Sequence, residues 1–165
     1  MMVITTTKGD QFKVDDDYYP LLSVLKWHTA VPSKSRPNAK RYAYTLFYSR
    51  DKSCRILLHS LIMGGTKVVD HIDGDTSNNQ RSNLRACTAS QNSANRGPMP
   101  NTSSQYKGVT KYGRYKDGTQ RWLSQIVYNN KHYHLGFYRD EKEAARAYDK
   151  ASLKFWGDFG YQNGV

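Results

Sequence analysis

The 165-residue sequence predicts an α+β fold: an N-terminal antiparallel sheet, a central β-β-α unit, and a three-stranded antiparallel sheet packed on one helix. Three observations carry this prediction. RYAYTLFY, residues 41–48, alternates as a half-buried strand does. GPMPNTSSQ, residues 97–105, holds two prolines and no periodicity, and reads as a linker between domains. Beyond it, three β-rich segments lead into the best-marked helix of the chain.

Taken in order, VITTT and QFKV form a hairpin around the turn Lys8-Gly9-Asp10. DDDYYPLLSVLKW follows as a helix with an aspartate available as N-cap and Leu21, Leu22 and Leu25 at helical spacing. PSKSRPNAK, residues 32–40, is a polar loop. RYAYTLFY and CRILL are strands, the first with Tyr42, Tyr44, Leu46 and Tyr48 on one face. HSLIMG is a short helix ended by Gly64-Gly65, with His59 preceding it in a structural role. KVVDHI and LRAC are short strands around a polar loop. Thr88 opens a helix in which Thr88-Ala-Ser-Gln91 matches a capping box and Asn92 lies one turn inside. YKGVTKY, RWLSQIVY and KHYHLGFY are antiparallel strands, the last two joined by Asn129-Asn130. The final helix is capped by Asp140, with Glu143 three residues on, and ends at Gly157; Ala144, Ala145, Tyr148, Ala151 and Phe155 form its apolar stripe. The expected organisation is a β-rich region over 1–54, a central unit over 55–96, a linker over 97–105 and a C-terminal module over 106–165.

The charge is unevenly spread. Residues 1–69 and 101–165 carry net charges of +6 and +5, whereas residues 70–100 balance at zero. Basic flanks around a neutral centre, with a sequence pI near 9.6, point to a polyanion such as nucleic acid. No apolar run approaches the roughly 20 residues that span a bilayer, and the start lacks a signal peptide's apolar segment, so an intracellular protein is expected. Cys54 and Cys87 are isolated in sequence and are expected to be buried free thiols.

The neutral centre, VVDHIDGDTSNNQRSNLRACTASQNSANR, gathers three aspartates, one histidine and five asparagines. A helix-loop-helix calcium site fails in both registers. Starting at Asp73 places Asn78 where glycine is needed and Leu84 where glutamate is needed, and starting at Asp70 places Arg81 at the final ligand position. A four-ligand zinc site fails because His59, His71 and Cys87 offer no close pairs. Adjacent residues on a regular strand point to opposite faces, so Asp70 and His71 can share a site only if the strand bends or ends there, which Ile72-Asp73-Gly74-Asp75 permits.

VDHIDGDTSNNQRSNLR followed by QNSAN resembles the HNH nucleases, and among them the phage and intron-encoded homing endonucleases with a ββα-metal (His-Me finger) centre. The resemblance implies His71 as general base, Asp70 and Asn92 as ligands of one divalent cation, and Asn83 as the residue that ties the hairpin. Asparagine stands at the third motif position, as in the H-N-N branch, and amide and carboxylate oxygens favour Mg²⁺ or Mn²⁺ over zinc. YKGVTKY, RWLSQIVY, HLGFY, EKEAARAYDKAS and FWG resemble the APETALA/ethylene-response-factor DNA-binding domain, which implies a sheet laid in the major groove with the helix behind.

Alternation turns Trp122, Ile126, Tyr133 and Leu135 toward the helix, and Arg121, Gln125, His132 and His134 outward, with Lys107, Thr110 and Lys111 extending that surface from the first strand. His132 and His134 alone are too few for a metal site, and Tyr148 is expected in the core rather than at a phosphate. Lys34, Arg36, Lys40 and Arg41 are the N-terminal candidates for phosphate contacts.

The resulting expectation is a monomeric, divalent-metal-dependent, sequence-specific endonuclease that nicks duplex DNA, in the cytoplasm of a phage-infected bacterium. The alternative is a DNA-binding transcriptional regulator with an inactive HNH centre. An RNA-binding protein is disfavoured because the outward face of the C-terminal sheet is expected to lack stacking aromatics.

Overall fold

The computed structural model describes residues 1–30, 40–49 and 52–165. It mixes helices with several small antiparallel sheets, as an α+β fold does, and forms two compact units, Met1–Ala89 and Ser90–Val165. Among the described residues, no helix is long and apolar enough to cross a membrane.

The first unit opens with the expected hairpin of β1 (Met2–Thr5) and β2 (Gln11–Val14), whose turn uses Gly9 at φ +81°. Helix α1 (Tyr19–Ser23) is a single turn started by Pro20. No aspartate caps it: Tyr18 occupies the N-cap, and the Asp15 carboxylate instead accepts from the Arg81 backbone N–H at 2.6 Å. A local cap has been traded for a tie between distant segments. Leu22 is buried, whereas Leu21 is 64% exposed.

A second sheet has the order β3 (His28–Ala30), β4 (Tyr42–Ser49) and β5 (Lys52–Leu57). Strand β3, only three residues long, carries no local strand signal of its own. Strand β4 alternates as expected: Ala43 and Thr45 are buried, Tyr42, Tyr44 and Leu46 are half-buried on the other parity, and Tyr48 is 78% exposed. Small side chains fit where the strand lies against Trp27 and Leu58, and tyrosines do not. Helix α2 (Leu58–Ile62) ends at Gly64 and Gly65, both at positive φ, and contains His59 rather than following it. The third sheet is the pair β6 (Val69–His71) and β7 (Leu84–Ala86). One core joins all three sheets: Ile4, Phe12 and Val14 of the hairpin pack with Trp27, Ala43, Leu58, Val69 and Leu84.

The second unit holds nearly all of α3 (Ala89–Ala94), then the sheet β8 (Val109–Arg114), β9 (Gln120–Tyr128) and β10 (Lys131–Tyr138), in the order β10-β9-β8, and helix α4 (Glu141–Trp156). Asn129 and Asn130 both take positive φ in the β9–β10 turn, as expected. Asp140 caps α4 by accepting from the Glu143 N–H at 2.9 Å, and Gly157 ends it at φ +54°. Ala144, Ala145, Tyr148 and Ala151 are buried against the sheet, with Phe155 packed beside them. Tyr148 is thus a core residue, and its ring requires Gly108: a Cβ there would lie 2.0 Å from the ring at φ +76°.

The cysteines are both free, but Cys54 is exposed and Cys87 half-buried, because β5 runs along an open sheet edge.

Candidate nuclease centre

Strand β6 ends at His71, where a turn closed by Gly74 N–H donating to the His71 carbonyl at 2.9 Å diverts the chain. That ending frees Asp70 and His71 from strict alternation, and both are only 4% exposed. In the antiparallel register Asp70 stands opposite Arg85. Directly opposed side chains lie within reach of one another. The Arg85 guanidinium donates from Nε at 2.9 Å and Nη2 at 2.7 Å to Asp70 Oδ2, and both side chains are largely buried. A buried guanidinium donating twice to one carboxylate oxygen is a charge-assisted contact that holds the Asp70 side chain in place.

His71 Nε2 lies 3.3 Å from Asn79 Oδ1. An amide oxygen can only accept, so this pairing assigns the proton to Nε2 and makes Nδ1 the basic nitrogen. Asn79 is delivered by the first hairpin: Lys13 N–H donates to Ser77 O at 2.7 Å, and Asn79 N–H donates to Lys13 O at 2.8 Å. Edge-on to His71, at 5.2 Å between ring centroids, is His59, with Tyr42 packed on His59 at 5.4 Å. Burial lowers the His71 pKa below the ordinary histidine value, against the opposing pull of the Asn79 bond and the Asp73 charge. Burial, with the neighbouring His71, lowers His59 to about 4. Both imidazoles are therefore neutral near pH 7.

Asn83 ties the loop between β6 and β7. Its Oδ1 accepts from Asp73 N–H at 3.1 Å, and its Nδ2 donates to Asp73 Oδ1 and to Asn78 O, each at 2.9 Å. Burial alone would raise the Asp73 carboxyl, but the bonds from Asn78, Asn83 and the Asp75 N–H outweigh it and lower its pKa. Asp75 accepts from the Ser77 N–H and hydroxyl, so both loop aspartates build turns.

Asn92 lies on α3, in the second unit. Among the described residues, no three His, Cys, Asp or Glu side chains gather around one point, so an ion held by Asp70 would draw on fewer than three such donors. Carboxylate and amide oxygens are hard donors of the kind that suit Mg²⁺ or Mn²⁺.

The expected nucleic-acid residues divide into several groups. Lys34 and Arg36 lie outside the described residues. Lys40 donates to Gly74 O at 2.8 Å, and Arg41 pairs with Asp10 at 2.7 Å. Lys107 precedes β8 rather than lying on it, and its amine donates to the carbonyls of Ser93, Ala94 and Arg96; burial lowers it to about 8. Lys111 pairs with Trp122 and so shares the Trp122 side of the sheet, its amine 5.6 Å above that ring. This is a consequence of register, since directly paired residues point the same way.

Thr110, His132 and His134 are exposed, and Gln125 and Arg121 half-buried, on the face opposite the helix. That face is not free of aromatics: Tyr112 and Phe137 lie 4.9 Å apart, with the Arg121 guanidinium 3.5 Å over Phe137. Tyr112 shares the parity of Thr110, whereas Phe137 reaches this face only through the β-bulge at His134/Gly136, which shifts it away from simple alternation. Among the described residues Arg121 Nε is buried with no hydrogen-bond partner.

Sequence reasoning also missed Arg85, Asn79 and the place of His59. The hairpin register would have found Arg85 by counting from the loop, since Asp70 and Arg85 are partners. Nothing in the sequence marks Asn79, which reaches His71 through the bridge of Lys13 to Asn78.

The carboxylate and the buried, oriented imidazole both lie within the segment that the comparisons with known proteins single out. Residues 64–94 match the family model described as HNH endonuclease, a class generally dependent on a divalent metal. The chain is 29% identical over 164 residues to an uncharacterized HNH endonuclease of Acanthamoeba polyphaga mimivirus, covering 96% of this chain and 77% of that protein. Partial matches join it to plant proteins. An AP2-like ethylene-responsive transcription factor of Arabidopsis thaliana is 40% identical over 81 residues, covering 44% of this chain and 19% of its own length. APETALA2-like protein 2 of Oryza sativa subsp. indica is 48% identical over 62 residues, covering 38% and 13%. The HNH match supports nuclease activity on DNA, and the partial plant matches hint at a DNA-binding part.

Proposed function

We propose that the protein is a divalent-metal-dependent endonuclease of the HNH homing type that nicks one strand of duplex DNA. The observation that carries this reading is His71: buried, neutral and oriented by Asn79, one residue from the carboxylate Asp70, within the segment matching the HNH model. His71 Nδ1 takes a proton from the attacking water, since a general base must be neutral at working pH. Asp70 and Asn92 would hold the cation, Mg²⁺ or Mn²⁺, which would supply charge neutralisation at the phosphate and the leaving 3′ oxygen. Arg85 holds the Asp70 carboxylate in place, and Asn83 holds the loop from which Asn79 reaches His71. One base and one ion cut one strand per engagement, and two unlike units fit a monomer on an asymmetric site.

The C-terminal sheet supplies recognition through Thr110, Gln125, His132, His134 and Arg121. Thr and Gln read base edges, and a guanidinium stacked on Phe137 presents its edge to a base or phosphate. The test is conversion of supercoiled plasmid to open circle with Mg²⁺, with Mn²⁺ and with chelator. Cation-dependent nicking by the wild type, absent in His71→Ala at retained DNA binding, is expected. Binding without nicking in every condition would leave the alternative, a regulator with an inactive HNH centre.

A further inference from the structure

Between the tip of the first hairpin and the β3-β4-β5 sheet lies a cleft of about 320 Å³, lined by Thr7, Lys8, His28, Tyr44 and Arg55 with Thr29 and Ala30. Its construction is specific. His28 and Tyr44 are direct partners across β3 and β4, and their rings stack at 5.4 Å and 29°. The Arg55 guanidinium lies 4.2 Å from the centre of the Tyr44 ring, which fixes its plane and leaves its N–H edge for another acceptor. Thr7 Oγ1 is 3.2 Å from His28 Nδ1, which ties the hairpin tip to the sheet. Lys8 and Arg55 are exposed cations on the same cleft, and among the described residues no carboxylate lines it. The neighbouring Asp10 accepts from Thr29 Oγ1 at 2.6 Å and from Arg41 at 2.7 Å and does not itself line the cleft.

We infer that this cleft is a phosphate clamp for duplex DNA in which Lys8 and Arg55 hold a backbone phosphodiester and Thr7 and His28 supply further hydrogen bonds. The ligand chemistry follows from the lining. Two cations, a hydroxyl and an imidazole around a space of this size suit one phosphate with its sugar, and an arginine stacked on tyrosine is pre-organised for bidentate contact with phosphate oxygens. The clamp is separate from Arg41, which pairs with Asp10. The identity of the polyanion as DNA rests on the nuclease reading above; the clamp itself rests on the cleft.

Binding of a labelled random-sequence duplex, measured by fluorescence anisotropy in chelator so that cleavage plays no part, tests the clamp separately from the nuclease reading. Lys8→Ala/Arg55→Ala is expected to weaken binding roughly tenfold at moderate salt. It should also make the slope of log affinity against log salt shallower by about 1.8, two phosphate contacts at about 0.9 each. Arg55→Glu should weaken binding further, and Arg55→Lys, which keeps the charge without the planar fork, should fall between. Thermal midpoints within a degree or two of wild type, expected for exposed side chains, assign the loss to binding. An unchanged affinity and salt slope in the double variant overturns the clamp. So does an equal loss on duplex RNA with none on DNA, or tight binding of inorganic pyrophosphate with duplex binding unaffected. Loss of plasmid nicking with this binding behaviour intact would sink the nuclease reading and leave the clamp standing.

Discussion

Replacing Arg85 by methionine separates the two partners of Asp70, the guanidinium seen here and the divalent cation proposed. Asp70 and Arg85 side chains are 5% and 15% exposed, and the guanidinium donates twice to one carboxylate oxygen. Removing one member of a buried ion pair leaves the other charge poorly compensated, at a cost of about 3–5 kcal/mol. In chelator, Arg85→Met should therefore lose several kcal/mol in urea unfolding followed by tryptophan fluorescence. Added Mg²⁺ should restore part of that loss, since a cation bound at a hundred times its dissociation constant adds about 2.7 kcal/mol. The gain should exceed that of wild type, in which the guanidinium competes for the same carboxylate. A loss below about 1 kcal/mol in chelator would show that the pair is not a buried structural contact. Equal stabilisation of both proteins by Mg²⁺ would refute Asp70 as the ligand.

Three further outcomes follow from the same structure. Gly108→Ala should destabilise the C-terminal unit by roughly 2–5 kcal/mol, through the left-handed backbone and the overlap with Tyr148, read as a large drop in thermal midpoint. His59 has a folded pKa lowered from 6.5 to about 4, so the unfolded chain binds the extra proton first and stability falls as pH drops through that window, by about 3 kcal/mol; urea midpoints of wild type and His59→Gln at neutral pH and near pH 4.5 should differ accordingly, and parallel pH dependence would contradict this. Asn79→Ala removes the bond that orients His71 and should slow single-turnover nicking at least about fivefold, the value of one hydrogen bond near 1 kcal/mol, with DNA affinity unchanged.

Much of this was legible in the sequence because strong local signals decided it. The Asn129-Asn130 turn, the Asp140 cap and the alanine stripe each specify their element without help from elsewhere. The exceptions share one physical cause: contacts distant in sequence overrode local preference. Asp15 left its own helix to bind the Arg81 N–H, and β10 shifted at a bulge that placed Phe137 beside Tyr112 and Arg121. At the candidate site, the motif singles out Asp70, His71 and Asn83, which lie on β6 and in the turn that leads into β7. It does not single out Asn79, since only the pairing of the loop with β2 carries that residue to the imidazole.

The central claim is that His71 acts as the base, and single-turnover nicking of a bound duplex by His71→Ala under saturating Mg²⁺ tests it most directly. The account predicts a rate lower by about 10²–10⁴ with DNA affinity and unfolding midpoint close to wild type. A variant that nicks at the wild-type rate would contradict it.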